Sequence, residues 1–395
     1  FVMAARDIYP SEALQFDKAK VLGFVTMYGT INSHTAVLAR TKGIPAVIGL
    51  GESLKEEYDG KTIIIDGYEG KIYIEPDYAT LTKMRERKDA NLRHVRNLER
   101  LKGKENITQS GQKIDICANV GTREDIENVL RSDAGGIGLF RSEFLYMEMG
   151  SKLPSEEQLF QVYKLAAESM GANRVVVRIA DFGGDKMVES VDLGEQANPA
   201  IGLRGIRIMM EKEELFLPQF RAILRASALG NVSIMFPMVT SMEEVAAAKA
   251  LLEKAKKQLK DEKTAYNENI EIGVMIETPA AVMISRELAR RVDFLSLGTN
   301  DLSQYTLAMD RQNPLLRKKY NDHHPAVLRM IQMVIEAGHA ENRRVCICGE
   351  LAADTALTEE FLRMGVDCLS VVPACILPVR KALRQVDLSG DDKGA

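Results

Sequence analysis

Short apolar runs rich in β-branched residues recur from about residue 112 towards the end of the chain, separated by polar stretches. There are eight: "KIDICANV", "GGIGLF", "RVVVRIAD", "VSIMFPMV", "EIGVMIE", "DFLSLGTND", "RVCICGE" and "DCLSVVP". Stretches between them, such as "TREDIENVLRS" and "SMEEVAAAKALLEKAKKQL", space their apolar residues as amphipathic helices do. This alternation predicts an α/β fold with a C-terminal parallel (β/α)₈ TIM barrel over 106–390, the alternative being an open doubly wound sheet.

The first part of the chain follows another pattern. The runs "KVLGFVT", "AVIGL", "KTIIIDG" and "GKIYIEP" predict short strands of a small α/β domain over 1–77. The charged stretch "ATLTKMRERKDANLRHVRNLERLKGK" has few apolar positions and predicts a solvated linker helix over 78–105. Because the chain opens with Phe1 and runs straight into "FVMAARDIYPSEALQF", we expect further protein upstream.

Composition excludes several classes of function. The 395 residues are 46% hydrophobic and 27% charged, an ordinary balance for a globular protein, and the net charge of −4 offers no general attraction to nucleic acid or an anionic membrane. No apolar run is long enough for membrane insertion, and no signal peptide is evident. Five scattered cysteines suggest no disulfide framework, so we expect a cytoplasmic protein.

Polar residues stand where the predicted barrel strands end. In a TIM barrel the catalytic groups lie at the carboxyl ends of the strands. Those ends carry Arg141, Arg178 with Asp181, Glu277, Asn300 with Asp301, and Cys348 with Glu350. Glu277 and Asp301 end successive strands, so they could share a divalent ion, Mg²⁺ or else Mn²⁺. The competing interpretation pairs each acid with an arginine.

Four arginines and one thiol add to this set. The arginines are Arg141, Arg178, Arg204 and Arg311. Forked guanidinium donors match phosphate and carboxylate oxygens, so together with a metal they describe a pocket for a small phosphorylated carboxylic acid. Cys348 ends its strand and could donate a proton to an enolate carbon, whereas Cys346 points the same way from further down and is expected in the core. A core position is the alternative for Cys348 as well.

His34 is the one histidine of "GTINSHTAVLARTKGIPAVIG". Asn32 or Ser33 is a good N-cap, which places His34 at the first turn of a predicted helix. The positive end of a helix disfavours imidazolium and attracts anions, so a neutral imidazole that gains a phosphoryl group would suit this position. The alternative is an exposed polar residue near the cap.

The chain resembles the Enzyme I family of the bacterial phosphoenolpyruvate:sugar phosphotransferase system. The resemblance rests on "SHTAVLAR", "IPAVIG", "GIGLFRSEFLYM", "FGGDK", "NPAIGLRGIRI", "MFPMV", "IETPAA", "SLGTNDLSQYTLAMDR" and "CGELAAD". It implies a phosphoenolpyruvate-protein phosphotransferase, in which His34 accepts the phosphoryl group and passes it to the phosphocarrier HPr while pyruvate leaves. It also implies a movable histidine domain and a homodimer formed through the barrels.

The resemblance further implies a role for each site residue. Phosphoenolpyruvate would be gripped by Arg141, Arg178, Arg204 and Arg311, with Asn300 behind its phosphate. Mg²⁺ would be held by Glu277 and Asp301, and Cys348 would protonate C3 of the departing enolpyruvate.

Some positions depart from the family pattern. Thr30, Ile31 and Asn32 stand where the family usually carries glycine, a basic residue and threonine, and Ala353 replaces a glycine. "LSVVPACILPVR" lacks the small hydroxyl residues common after the last strand, and the upstream HPr-docking region is not in this sequence. The alternatives are therefore a dikinase or phosphoenolpyruvate synthase using the same histidine, a phosphoenolpyruvate-binding regulatory relative, and a Mg²⁺-enolate lyase or aldolase.

Overall fold

The structure is a computed structural model. It describes residues 1–6, 20–29, 39, 44–150, 152–183, 191, 193–313, 315–316 and 319–389. The chain divides into two compact units, Phe1–Asn97 and Leu98–Ala395.

The first unit contains two small sheets. Strands β1 (Val2–Ala5), β2 (Gly23–Thr26) and β3 (Ala46–Val47) form a parallel sheet in that order. Strands β4 (Ile63–Asp66) and β5 (Lys71–Ile74) form an antiparallel pair. Each of the four predicted runs holds one of β2 to β5, whereas the sequence analysis did not identify β1.

The central strand of the parallel sheet, β2, is buried along its whole length. A Cβ added at Gly23 would lie 2.9 Å from the Pro45 carbonyl oxygen and 2.8 Å from Ile65 Cδ1, so the close approach of these segments depends on that glycine. Two 3₁₀ turns, Gly51–Ser53 and Glu56–Tyr58, lie between β3 and β4.

The charged stretch forms one long helix, α1 (Tyr78–Glu99). Only Leu98 is buried along it, as the sparse apolar positions predict. Arg87 donates to Asp66 (2.7 Å) and Glu69 (2.9 Å), which ties this helix to the β4–β5 pair. The helix ends before the predicted limit of 105, because a turn follows in which Gly103 has a φ of 72°.

The second unit is a closed barrel of eight parallel strands, which confirms the predicted fold class. The strands are β6 (Asp115–Val120), β7 (Gly136–Arg141), β8 (Arg174–Arg178), β9 (Val232–Phe236), β10 (Glu271–Ile276), β11 (Phe294–Leu297), β12 (Arg344–Ile347) and β13 (Cys368–Val371). Neighbours in sequence are neighbours in the sheet, and β13 pairs with β6 to close it. Each of the eight predicted apolar runs contains one of these strands.

Helices follow the strands around the outside, as the alternation predicts. They are α2 (Arg123–Ser132), α3 (Glu143–Glu148), α4 (Glu156–Met170), α5 (Ile206–Glu211), α6 (Glu213–Ser227), α7 (Met242–Asp261), α8 (Pro279–Met283), α9 (Ser285–Ala289), α10 (Thr299–Leu307), α11 (Pro325–Ala340), α12 (Thr358–Arg363) and α13 (Ile376–Leu383). Capping boxes at Thr122, Ser155 and Ser241 begin three of them, satisfying backbone N–H groups that have no partner inside the helix.

Two apolar clusters stabilise this unit. The larger one lies between the strands and the surrounding helices. The smaller one contains side chains from inside the barrel, namely Leu139, Val176, Met235, Met275, Phe294 and Cys348. A Cβ at Gly273 would lie 2.3 Å from the Phe294 ring, so this glycine makes room for the aromatic side chain. The interior is therefore packed below its open end.

None of the described helices is long and apolar enough to cross a membrane.

Candidate active site

A cavity of about 200 Å³ opens at the carboxyl ends of the barrel strands. Seven of the predicted site residues line it: Arg141, Arg178, Glu277, Asn300, Asp301, Arg311 and Cys348. The rest of the wall includes Asn119 and Glu350 as polar groups and Leu139, Met275, Ala353, Val371 and Val372 as apolar ones. One side of this small space is therefore charged and another is apolar.

Strand periodicity explains how the side chains reach this cavity. Arg141 and Arg178 are the last residues of β7 and β8, and they are paired in register. Side chains alternate along a strand, so Arg141 shares the inward face with Leu139, and Arg178 shares it with Val176. By the same alternation Glu277 continues the inward row of β10.

Arg178 is a buried cation with one donor unused. Its side chain is 3% exposed, and Nη2 donates to Glu143 Oε1 while Nη1 lies 3.3 Å from Met275 Sδ. Burial alone would lower the pKa of Arg178, but Glu143 and Asp181 raise it above its usual value. Its Nε is buried without a hydrogen-bond partner in the structure. Buried donors are rarely left unsatisfied, so an anionic oxygen bound in this cavity is a suitable partner.

Arg204 is fully buried but does not line the cavity. Nη2 donates to Asp181 Oδ2 (2.9 Å) and to Asp301 Oδ2 (3.0 Å), and Nη1 donates to the hydroxyl of Tyr305 (2.8 Å). Burial would lower the pKa of Arg204, but the two aspartates raise it. Arg311 Nη2 also lies 3.9 Å from Asp301 Oδ1. Arg204 therefore orients Asp301, one of the acids on the cavity wall.

These contacts correct one assumption of the sequence analysis. Four arginines at one mouth were expected to repel each other unless an anion joined them. The structure places Glu143 beside Arg178, and Asp181 and Asp301 beside Arg204. Buried acids thus compensate part of the positive charge without any ligand.

Glu277 is a buried carboxylate held in one orientation. Its Oε1 accepts a hydrogen bond from the backbone N–H of Met238 (2.7 Å), a residue with a φ of 55°. Gly298 gives it room, because a Cβ there would lie 2.7 Å from Glu277 Oε2. Burial and the neighbouring charge of Asp301 raise the pKa of Glu277 to about 7.

The donor set fits a magnesium ion that also binds substrate oxygens. In the described part of the chain, no group of three or more His, Cys, Asp or Glu side chains is arranged to hold a metal ion. Mg²⁺ is commonly bound by one or two carboxylates together with water and phosphate oxygens. Glu277 and Asp301 are two such carboxylates, and the raised pKa of Glu277 shows that another positive charge beside it would be favourable.

Cys348 lies just past the end of β12, at the floor of the cavity. Its Sγ accepts a hydrogen bond from Ser296 Oγ (3.3 Å) and donates to the Leu297 carbonyl oxygen (3.3 Å). Burial raises the pKa of this thiol to about 11, so it stays protonated at neutral pH. Cys346 does not line the cavity, since its Sγ lies 3.0 Å from Cys368 Sγ inside the barrel.

Asn300 is bound to a neighbouring loop. Its Nδ2 donates to Glu350 Oε1 (3.1 Å), and its Oδ1 accepts from the Glu350 N–H (2.7 Å). The side-chain amide is therefore fixed on the cavity wall by the turn that follows Cys348.

His34 lies outside the residues that the structure describes, as do Thr30, Ile31 and Asn32. Its phosphoryl-acceptor role remains a prediction from the sequence.

Two polar residues at the site were not singled out from the sequence. Asn119 lines the cavity from the end of β6, and Glu143 is the buried partner of Arg178. Period-two alternation along "KIDICANV" could have revealed Asn119, because it shares a face with Asp115 and Cys117. Glu143 gave no comparable signal, since an acid in the first turn of a helix is usually exposed.

Comparison with known proteins agrees with this geometry. Residues 95–388 match the family described as PEP-utilising enzyme, PEP-binding domain, and residues 1–70 match PEP-utilising enzyme, mobile domain. The phosphoenolpyruvate-protein phosphotransferase of Staphylococcus carnosus is 40% identical over 388 residues, covering 98% of this chain and 68% of the relative. The enzymes of the same name from Haemophilus influenzae and Bacillus subtilis are 40% and 38% identical, each covering 98% of this chain and 67% of the relative.

Among solved structures, a citrate lyase from Burkholderia xenovorans aligns with 71% of this chain and 80% of its own at 18% identity and a TM-score of 0.42, a likeness too slight to support an argument. The sequence relatives and both domain matches are far stronger, and they confirm the resemblance drawn from the motifs. The chain therefore belongs to the PEP-utilising enzymes and, within them, to the phosphoenolpyruvate-protein phosphotransferase family.

Proposed function

We propose that this chain transfers the phosphoryl group of phosphoenolpyruvate to His34, releases pyruvate, and then passes the phosphoryl group to the carrier protein HPr. The observation that supports this most directly is the shared cavity, in which arginines, two carboxylates, an amide and a thiol meet. A phosphorylated enol acid carries a phosphate, a carboxylate and a CH₂ carbon, and the cavity offers a complementary group for each.

Arg141, Arg178 and Arg311 are proposed to bind the anionic groups of the substrate. Phosphoryl transfer depends mainly on positioning and on charge placed around the phosphate oxygens, and three arginines on one wall supply that charge. The unsatisfied Nε of Arg178 is a donor ready for one such oxygen. Asn300 lies on the same wall, and Arg204 acts indirectly by orienting Asp301.

Glu277 and Asp301 are proposed to hold Mg²⁺. When bound, the ion would neutralise phosphate charge and help to orient the substrate. The chain's own contribution is to fix the two carboxylates, through the Met238 N–H on Glu277 and through Arg204 on Asp301.

Cys348 is proposed to deliver the proton that completes pyruvate. As the P–O bond to the enol oxygen breaks, its electron pair remains on that oxygen and gives an enolate. The C3 carbon then takes the proton from Sγ, the C2–O bond becomes a carbonyl, and a thiolate remains that water can reprotonate. A pKa of about 11 keeps the thiol protonated before this step.

Other parts of the proposal rest on family membership. We infer a homodimer formed through the barrels, a histidine domain that moves between the barrel mouth and HPr, and a cytoplasmic location. The same domain plan places the phosphohistidine domain at 1–77, the linker at 78–105 and the barrel at 106–390. No nucleic acid or membrane partner is proposed, because a net charge of −4 offers neither a general attraction.

The test is transfer of label from ³²P-phosphoenolpyruvate to the chain in the presence of Mg²⁺. We expect an acid-labile, base-stable label that is absent in His34→Gln and in EDTA, with pyruvate formed in equal amount. If the wild-type chain binds phosphoenolpyruvate and takes no label, the protein is instead a binding relative without turnover, as the altered residues Thr30, Ile31 and Asn32 would then explain.

A further inference from the structure

The Asn119 side chain joins three strands at the floor of the cavity. It projects from β6, and its Nδ2 donates to the carbonyl oxygens of Cys348 (2.9 Å) and Ser370 (3.0 Å). Its Oδ1 accepts a hydrogen bond from Ser370 Oγ (2.6 Å), and the residue is 7% exposed. One amide thus connects β6 across β13 to the residue that follows β12.

These partners fix the orientation of the amide. Rotating it by half a turn would place Oδ1 against two carbonyl oxygens and the NH₂ group against a hydroxyl that now donates. In the observed orientation both N–H bonds are used on carbonyl groups. The amide therefore has no N–H left to donate to an anionic substrate, although it lines the cavity.

The sheet creates a need for this contact. Direct pairing between β12 and β13 ends at Ile347 and Leu369, so the carbonyl group of Cys348 lies beyond the ladder. The register between β6 and β7 also shifts between Ala118 and Asn119, a local irregularity of the kind found beside active sites. Without Asn119, the buried carbonyl oxygens of Cys348 and Ser370 would each lose this donor.

Cys348 is consequently fixed at several atoms. Its N–H donates to the Leu297 carbonyl oxygen (3.0 Å), its own carbonyl oxygen accepts from Asn119, and its Sγ lies between Ser296 Oγ and the Leu297 carbonyl oxygen. We infer that Asn119 is a positioning residue for proton delivery by Cys348: it sets the main chain from which the thiol reaches the enolate carbon. This inference rests on the proposed function.

The physical reason lies in the proton transfer step. The S–H bond of Cys348 breaks as the C3–H bond of pyruvate forms, and the resulting thiolate accepts a hydrogen bond from Ser296 Oγ. Such a step requires the acid within hydrogen-bond reach of its target, and a displacement of about 1 Å can slow a reaction by roughly 100-fold. Phosphoryl transfer to His34 does not involve the thiol and should be less sensitive.

The experiment compares Asn119→Ala, Cys348→Ala and the double variant in the full chain. For each, labelling of His34 from ³²P-phosphoenolpyruvate and formation of pyruvate are followed separately. In Asn119→Ala we expect pyruvate formation to slow by roughly 10- to 100-fold, with phosphoenolpyruvate affinity changed by less than about 3-fold. The solvent deuterium isotope effect on pyruvate formation should rise, because proton transfer has become slower.

The double variant separates positioning from a general structural role. If Asn119 acts through the thiol, removing it from Cys348→Ala should cost little more, whereas a structural role would slow both backgrounds equally. Ser370→Ala is the matched control: it removes one hydrogen bond to Asn119 but leaves both carbonyl contacts, so its effect should be small. Equal losses in both backgrounds, or a loss of substrate affinity in step with the rate, would overturn the inference.

A second measurement does not depend on turnover. Alkylation of Cys348 by iodoacetamide, followed by peptide mass spectrometry with Cys375 as an internal reference, should become at least about 3-fold faster in Asn119→Ala, because the thiol is less firmly held. An unchanged rate contradicts the role of Asn119. A wild-type chain that takes no label contradicts the proposed function instead, and the alkylation result still decides the claim for Asn119. If Asn119→Ala does not fold, Asn119→Ser replaces it in both measurements.

Discussion

Glu277 is a carboxyl group that favours its neutral form in the folded protein. Its side chain is 1% exposed, and burial and Asp301 raise its pKa from an ordinary 4.5 to about 7. Between these two values the folded state binds more protons at this residue than the unfolded state does. The contribution of Glu277 to stability is therefore full below about pH 4.5 and falls as the pH rises through about 7.

This behaviour predicts a pH-dependent difference between the wild-type chain and Glu277→Gln. In EDTA, the melting temperature of the wild type should fall relative to that of the variant as the pH rises from about 5 to about 8. Thermal unfolding at several pH values measures this, and the difference between the two proteins cancels the other titrating groups. Parallel curves would show that Glu277 does not titrate in this range.

Metal addition gives the complementary prediction. Mg²⁺ should raise the melting temperature of the wild type more at about pH 8 than at about pH 5.5, because protons compete for Glu277 at the lower pH. Glu277→Gln should show a smaller rise at both values. An equal rise in both proteins would place the ion elsewhere.

At the same scale, the sequence indicated the residues that end a strand and carry a charge or thiol. Arg141, Arg178, Glu277 and Cys348 all follow from counting along apolar runs. The partners of these residues were harder to find. Glu143 reaches Arg178 from the helix after β7, and Asn119 reaches Cys348 across another strand, so their roles depend on contacts between segments distant in sequence.

Among the elements, the turn between β11 and α10 sets the position of Glu277. Gly298 occupies this turn, and a Cβ there would lie 2.7 Å from Glu277 Oε2 and 3.0 Å from Met275 Sδ. Both atoms belong to the neighbouring strand region and face the cavity. The absence of a side chain at Gly298 is therefore part of how the acid is placed.

Gly298→Ala should displace Glu277 and destabilise the fold by about 1–3 kcal/mol, the usual cost of overpacking. Urea unfolding measures the loss of stability, and His34 labelling at low Mg²⁺ should fall in the same variant. Gly67→Ala is a suitable control, because its Cβ would meet nothing closer than the Ala46 carbonyl oxygen at 3.4 Å. Normal labelling at low Mg²⁺ in Gly298→Ala would contradict this account of the turn.

The elements themselves were largely predictable. Eight apolar runs each contain a barrel strand, because strands covered by helices on one face and packed inside on the other are apolar throughout. Strand β1 was missed because "FVMA" stands at the very start of the chain, with no turn residues before it to mark a boundary. The charged helix ends earlier than expected because the turn at Gly103, rather than the end of the charged stretch, limits it.

For the whole molecule, the division at Asn97 and Leu98 separates the residues of the proposed reaction. The side chains that line the cavity all belong to the second unit, whereas His34 belongs to the first. Substrate binding should therefore not require the imidazole, and the family relationship supplies the expectation that one unit moves to meet the other. The sequence of either unit alone would not have suggested the complete reaction.

This separation predicts that His34→Gln binds phosphoenolpyruvate in the presence of Mg²⁺ within about 2-fold of the wild type. Arg178→Lys should weaken binding by roughly 10- to 100-fold, since one charge-assisted hydrogen bond is worth about 1.5–3 kcal/mol and lysine lacks the Nε donor. Isothermal titration calorimetry measures both. A large loss of affinity in His34→Gln would mean that the cavity alone is not the binding site.

The position of Asp301 between Arg204 and Arg311 has a consequence for ligand binding. A phosphate that attracts Arg311 reduces the positive charge around Asp301, and a divalent cation on Asp301 reduces the hold of the carboxylate on both guanidinium groups. Each ligand thereby makes the site more suitable for the other. Linkage requires the effect to be mutual, so the factor by which magnesium tightens the enol phosphate must equal the factor by which the enol phosphate tightens magnesium.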